Sequence, residues 1–199
     1  MPDSTTDHED EKDILFGIIN RFIGYFTRDS QRESTNNDEI EYPFVPMDSR
    51  QMIAQIRVAR ATLQSHTSDY DANTFIDIGC GIGNVLLAAE QMDFRVFGIE
   101  KDPFPCKVAQ KLFGKNQVVM EDIWEFTEYN TFDVIYYFRP FHDGNTQKRF
   151  ELYIENELKP GGILIANRKM SQAINHDGRF YHLHPDLPVW HMKYFFSLH

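Results

Sequence analysis

The sequence predicts an α/β fold with a doubly wound, mostly parallel sheet and helices on both faces, and three observations predict it. Apolar runs of strand length, Phe75 to Ile78, Phe94 to Ile99, Phe132 to Phe138 and Ile163 to Asn167, alternate with segments of helical spacing. The joint between the first run and its helix carries Gly79, Gly81 and Gly83, three positions without a Cβ, so the backbone can turn sharply and approach a ligand. The run from Phe132 to Phe138 is apolar almost throughout, as in a central strand covered on both faces.

With 199 residues, 42% of them hydrophobic and 14% aromatic, the chain can build one domain with a sizeable core. Its net charge of −10 is uneven: residues 1 to 41 hold 11 acids and 4 bases (−7), and the other 19 acids and 16 bases leave −3. A nearly neutral body without a basic stripe argues against tight binding to a phosphate backbone, so nucleic acid is not the expected partner. Two cysteines, Cys80 in the turn and Cys106 at a helix start, do not read as a disulfide framework. Residues 1 to 13 are acidic, unlike a secretory signal, and a reducing, cytoplasmic location is expected.

Taken in order, residues 1 to 13 offer little to bury and read as a disordered acidic tail. Ile14 to Phe26 follows helical spacing and predicts a short amphipathic helix, too short to span a bilayer, which docks on the domain, on a second copy or on a membrane surface. Arg28 to Glu41 reads as a polar linker, which places the domain at 42 to 199. Tyr42-Pro43-Phe44-Val45-Pro46 is stiff and extended, and Asp48 or Ser49 then caps a helix whose apolar stripe is Met52, Ile56, Ala59 and Leu63.

After the glycine turn a helix runs from Val85 to Met92, and the strand Phe94 to Ile99 ends at Glu100. An acid there can accept two hydrogen bonds from a ribose diol, and it lies 17 residues (100 − 83) beyond Gly83, near the spacing that dinucleotide folds use. Asp102 reads as an N-cap with Pro103 at the first helical position and Gly114 closing the helix. Gln117 to Met120 predicts a third strand, and Arg179 to His182 and Val189 to Leu198 predict two more around the His184 to Pro188 turn. Ligands of open α/β sheets bind beyond the carboxyl ends of the strands, so Tyr137, Phe138, Arg139, Pro140, Phe141 and His142 should surround the reacting position. His182, His184, Asp186 and His191 fall near one another in sequence, but no metal site is expected from them.

The spacing of the turn excludes the nicotinamide fingerprint, because Asn84 stands where its third glycine belongs. Asp77 followed by Gly79, Gly81 and Gly83 instead resembles motif I of the class I S-adenosylmethionine-dependent methyltransferases, and Leu158-Lys159-Pro160-Gly161-Gly162 before the fifth strand is similar to the same family. The resemblance implies a Rossmann-like sheet of seven strands with an antiparallel C-terminal edge. It implies S-adenosyl-L-methionine as cofactor, held by Asp77, Gly79, Cys80, Gly81, Gly83, Asn84, Glu100, Lys101, Asp122, Ile123 and Phe138. In that family the acid after the third strand contacts the adenine amino group, and the segment before the first helix walls the active site, which makes Tyr42 and Phe44 pocket candidates and leaves Trp124 either covering the purine or packing.

His142 and Tyr137 are the candidates to accept a proton during transfer, and Arg139 the candidate to bind a carboxylate. Val45-Pro46, Asp122-Ile123-Trp124 and the compact length look similar to small seven-strand protein-lysine methyltransferases, so the expected acceptor is a protein lysine. The alternatives are a carboxylate-bearing small-molecule acceptor and a cofactor-binding scaffold without transfer activity.

Overall fold

The computed structural model describes residues 4–37, 39–42, 45–66 and 73–194. Phe44 and the last part, 195 to 198, of the strand expected from Val189 to Leu198 lie outside the described residues. In chain order the elements are α1 (Ser4–Arg32), α2 (Ser49–His66), β1 (Thr74–Ile78), α3 (Asn84–Glu90), β2 (Arg95–Ile99), α4 (Pro103–Phe113), β3 (Val118–Val119), β4 (Val134–Phe138), α5 (Asn145–Glu157), β5 (Ile163–Asn167), β6 (Phe180–His182) and β7 (Val189–Met192).

The strands form one seven-stranded sheet in the order β3-β2-β1-β4-β5-β7-β6. The first five strands in this order form four parallel pairs, and β7 runs antiparallel to both β5 and β6. The antiparallel C-terminal strand therefore lies one place in from the edge, which β6 occupies. This is the Rossmann-like sheet that the sequence predicts, and alternation along each strand splits its core in two. Phe75, Val96, Val134 and Tyr136 pack under α2, α3 and α4, against Ile56, Leu86 and Ala109. Ile76, Ile135, Tyr137 and Leu164 face the other way, onto Phe150, Ile154 and Leu158 at α5. Both faces of the strands are thus buried, which is why they read as continuous apolar runs.

Two expectations for the N-terminal region need correcting. Residues from Ser4 onward are helical rather than disordered, and the helix is not short, because α1 continues through 29 residues. Once a helix is nucleated, each added residue gains a hydrogen bond at little further cost, so an anchored apolar segment carries polar flanks with it. The anchor is Asn20, which interrupts the apolar pattern. Its Nδ2 donates to Asp48 Oδ2 at 2.8 Å, and its Oδ1 accepts from the Ser49 amide (3.0 Å) and hydroxyl (2.7 Å) at the start of α2. Asp48 Oδ1 caps α2 in turn, accepting from the amides of Arg50 (3.0 Å) and Gln51 (3.2 Å).

The expected linker is stitched to the domain. Glu41 bridges to Phe141, the Tyr42 amide donates to the Pro140 carbonyl at 2.9 Å, and the His142 amide donates to the Ile40 carbonyl at 3.0 Å. This strap crosses the carboxyl ends of the strands just where α2 is about to begin.

Candidate active site

A cavity opens at the carboxyl ends of β1, β2 and β4, where the sheet reverses its direction of winding. Its floor is the glycine turn. The amides of Gly79 (2.9 Å) and Cys80 (3.0 Å) both donate to the Ile99 carbonyl, which ties the turn to the tip of β2. Gly83 has φ +87° at the N-cap of α3, and a Cβ there would stand 2.8 Å from the Phe113 ring, so this position demands glycine twice over.

Glu100, at the tip of β2, is held in place from both sides. Its Oε2 accepts from the Gly81 amide at 2.9 Å and its Oε1 from the Asp102 amide at 2.8 Å. Burial raises its pKa from 4.5 to about 7, against the lowering effect of those amides. Asp77, also buried on the cavity wall, is raised well above the carboxylate range by burial and then by the charge of Glu100. Asp102 is 3% exposed and lines the same cavity; it makes no side-chain capping bond to α4, and its Oδ1 has no hydrogen-bond partner among the described residues. Cys80 lines the cavity as a neutral thiol, since burial and then the charge of Asp77 push its pKa up.

At the rim, Lys101 pairs with Glu41 of the strap and lies 3.8 Å from Asp122 Oδ2, while Asp122 Oδ1 accepts from the Trp124 amide at 2.9 Å. Opposite, the Arg139 guanidinium sits 4.3 Å from the centre of the Tyr42 ring and pairs with Asp143 at 2.6 Å. Its Nε is buried without a hydrogen-bond partner among the described residues. Phe138, Ile123 and Asn84 complete the cofactor candidates that line the cavity. Six carboxylates, those of Glu41, Asp77, Glu100, Asp102, Glu121 and Asp122, face the cavity against the two cations Lys101 and Arg139.

The structure places some of the expected site residues elsewhere. Tyr137 is fully buried on the α5 side, its ring 5.0 Å from that of Phe150 and its hydroxyl without a partner among the described residues. The reason is strand parity: Tyr136 and Phe138 face the cavity, so Tyr137 between them cannot. Burial and the charges of Glu151 and Glu155 raise its pKa further, so it is no proton acceptor at the site. His142 is not on the cavity wall; its ring packs edge-on behind Tyr42 at 5.3 Å. Gly81 and Gly83 shape the turn without lining the cavity. Trp124 packs, stacked on Phe141 at 5.7 Å.

His182 is stacked on Trp190 at 5.0 Å, with its Nε2 2.8 Å from the Leu187 carbonyl oxygen. Among the described residues no His, Cys, Asp and Glu group is arranged to hold a metal ion.

Sequence reasoning missed Glu41, Met47, Asp102 and Tyr136 as wall residues. The pattern of Asp102 announced only a helix cap, and nothing in a polar segment tells that it will fold back over a cavity. Tyr136 was visible as a β4 residue; only its parity was needed to place it with the site, where its hydroxyl lies 3.1 Å from Met47 Sδ.

Residues 76–166, which run from β1 to β5 and include the glycine turn, Glu100 and Asp122, match the family model described as a methyltransferase domain. The matched segment is 91 of the 199 residues (166 − 76 + 1). Its fold is that of the class I S-adenosyl-L-methionine-dependent enzymes.

Among solved structures, the domain is similar to the 16S rRNA methyltransferase of T. thermophilus in complex with AdoMet and guanosine, with 22% identity, 78% of this chain and 45% of that chain covered, and a TM-score of 0.52. The chain thus spans less than half the length of that enzyme, and the likeness carries the fold. It is also similar to an RNA methyltransferase from Salinibacter ruber in complex with S-adenosyl-L-homocysteine (19% identity, 78% and 98% covered, TM-score 0.49). A putative S-adenosyl-L-methionine-dependent methyltransferase from Methanococcus maripaludis is a third (18%, 76% and 91%, TM-score 0.45). Among curated proteins none matches the sequence.

Proposed function

We propose that the methyltransferase domain holds S-adenosyl-L-methionine across the tips of β1 and β2 and passes its methyl group to an amine, a protein lysine being the acceptor the sequence favours. The observation that carries this reading is Glu100, a buried carboxylate fixed by the Gly81 and Asp102 amides at the cavity wall. Each of its oxygens retains a lone pair to accept a ribose hydroxyl. The residues present fit the cofactor: Asp77 on the cavity wall suits an ammonium group, Asp102 Oδ1, without a partner among the described residues, adds an acceptor to the same cavity, and the turn at Gly79, Cys80, Gly81, Gly83 and Asn84 gives backbone room. Lys101, Asp122, Ile123 and Phe138 would border the adenine and the methionyl chain.

When bound, the cofactor supplies a methyl group on a sulfonium, which leaves by in-line displacement. The chain's part is to position the acceptor against Tyr42 and Phe138 and to keep water out; a lysine that arrives as an ammonium first gives one proton to water, and its neutral amine then takes the methyl group as the sulfonium becomes a thioether. Even with Asp77 and Glu100 taken as protonated, the four acids Glu41, Asp102, Glu121 and Asp122 outnumber the two cations at the cavity, which suits cationic ligands, an amine acceptor among them, and opposes phosphate-rich ones.

Arg139 supports a second reading, a carboxylate-bearing small molecule, because its buried Nε lacks a partner among the described residues and a guanidinium binds a carboxylate through two parallel bonds. Incubating the protein with methyl-labelled cofactor and a cell lysate separates these readings. Label in protein bands is the expected result. Label confined to small molecules replaces the lysine by the second reading, and cofactor binding without any transfer replaces catalysis by a scaffold role. Calorimetric binding of a nicotinamide dinucleotide but not of S-adenosylhomocysteine would overturn the cofactor assignment.

A further inference from the structure

The face of α1 turned away from α2 is covered with large apolar side chains. Ile14, Leu15, Ile18, Phe22, Tyr25 and Phe26 are each 50 to 66% exposed. At 100° per residue they fall within about 120° of the helix circumference. Together they expose on the order of 700 Å², close to the ~800 Å² per partner of a standard interface and far more than scattered surface apolar residues present. The opposite face of the helix is already used, through Asn20 and the Arg50 pair with Asp13 at 2.9 Å.

We infer that this face pairs with the same face of a second copy, the two α1 helices running antiparallel about a twofold axis near position 20. The spacing itself is palindromic: 14 with 26, 15 with 25 and 18 with 22 each sum to 40. An antiparallel twofold pair therefore sets Ile14 on Phe26, Leu15 on Tyr25 and Ile18 on Phe22, so that every large side chain of the stripe meets another. A twofold interface requires this self-complementarity, and neither a bilayer nor an unrelated partner does. Leu15, Ile18, Phe22 and Tyr25 also step by 3, 4 and 3 residues, the seam spacing of packed helix pairs. Asp29, paired with Arg32, ends the stripe on its C-terminal side. A chain of net charge −10 is poorly suited to an anionic membrane, which leaves a second copy as the occupant that charge and pattern both fit.

Sedimentation equilibrium of the full chain tests this. The expected mass is that of two chains, 2 × 23.4 = 46.8 kDa, falling to one chain in the Ile18→Asp/Phe22→Asp variant, which keeps a cooperative melt that no longer depends on protein concentration. A wild-type chain that stays monomeric up to about 100 µM, or a dimer that survives the double substitution, overturns the proposal. So does a monomer that floats with phosphatidylcholine vesicles. Orientation is read separately, by oxidising a mixture of Leu15→Cys and Tyr25→Cys proteins, since Cys80 and Cys106 are buried. Mixed disulfides are expected, and a preference for Leu15→Cys linked to itself would overturn the antiparallel pairing.

Discussion

If Glu100 accepts the ribose hydroxyls, cofactor affinity must follow the ionisation of that one carboxyl. Its pKa of about 7 arises because burial costs the charge more than the Gly81 and Asp102 amides return. At pH 6 such a group is about nine-tenths protonated and at pH 8 about nine-tenths ionised. A ligand that needs the carboxylate then binds roughly tenfold more weakly at pH 6 than at pH 8, about 1.4 kcal/mol. The sign for the free protein is opposite. A folded pKa raised above 4.5 gives stability that is complete below 4.5 and lost as the pH rises through about 7, on the order of 3 kcal/mol in all. The unliganded domain should therefore melt earlier as the pH rises across that window, while the cofactor complex gains. The assay is calorimetric titration of S-adenosylhomocysteine from pH 6 to 8 on wild type and Glu100→Gln in parallel. The Gln variant should bind more weakly by about 1.5–3 kcal/mol at pH 8, because a neutral amide replaces the charged acceptor of the ribose hydroxyls. It should also lose its share of the pH slope. Equal slopes in the two proteins, or wild-type affinity that falls as the pH rises, would refute the ribose role.

Three further outcomes follow from the packing. Gly83→Ala forces a side chain into φ +87° and onto Phe113, and should cost roughly 2 kcal/mol, seen as a drop in melting temperature of about 4–8 °C; an unchanged melt would mean that the turn relaxes freely. Tyr137→Phe removes a buried hydroxyl that has no partner among the described residues, so stability should hold or rise by about 1 kcal/mol with methyl transfer unchanged, and a large loss of transfer would return Tyr137 to the catalytic group. Lys169, itself buried, lies 3.1 Å from Glu151 and 2.8 Å from Glu155, both buried. Lys169→Met takes the cation from both carboxylates, although Glu151 keeps its bonds from Gln147 and the Met170 and Ser171 amides, and should cost about 3–5 kcal/mol in chemical denaturation, whereas a neutral outcome would show that the acids simply take up protons.

The parts of the site that lie on regular elements were legible from sequence because a parallel α/β sheet fixes them by position. Asp77 ends β1, Glu100 follows β2 and Asp122 follows β3, and each arrives at the cavity for that topological reason alone. What could not be read depends on the chain's path in three dimensions. The strap from Asn36 to Met47 reaches the cavity because Glu41 bridges to Phe141 and the Tyr42 amide meets the Pro140 carbonyl, contacts across about 100 residues that leave no local pattern. The helix before it was under-read for the opposite reason. Its polar flank is weakly patterned, yet it follows the apolar segment that Asn20 anchors to α2.

Tyr137 shows where strand-level reasoning needs one more step. Naming a strand end as a catalytic region selects every residue there, but a period of two sends half of them to the other face. In β4 the assignment is fixed by Tyr136, whose hydroxyl reaches Met47 at the foot of the strap, and by Phe138 on the same wall. The residue between them must enter the α5 layer, where it meets Phe150 beside the buried Glu151 and Glu155. A buried phenol beside two acids is a poor base, because each charge raises its pKa further. Beyond the strand, parity no longer applies, and Arg139 is instead fixed by its own contacts, on Tyr42 and with Asp143. On the proposed reading the acceptor side of the site is built by the strap and Arg139 together, and substitutions there, rather than in the glycine turn, are the ones expected to change the acceptor.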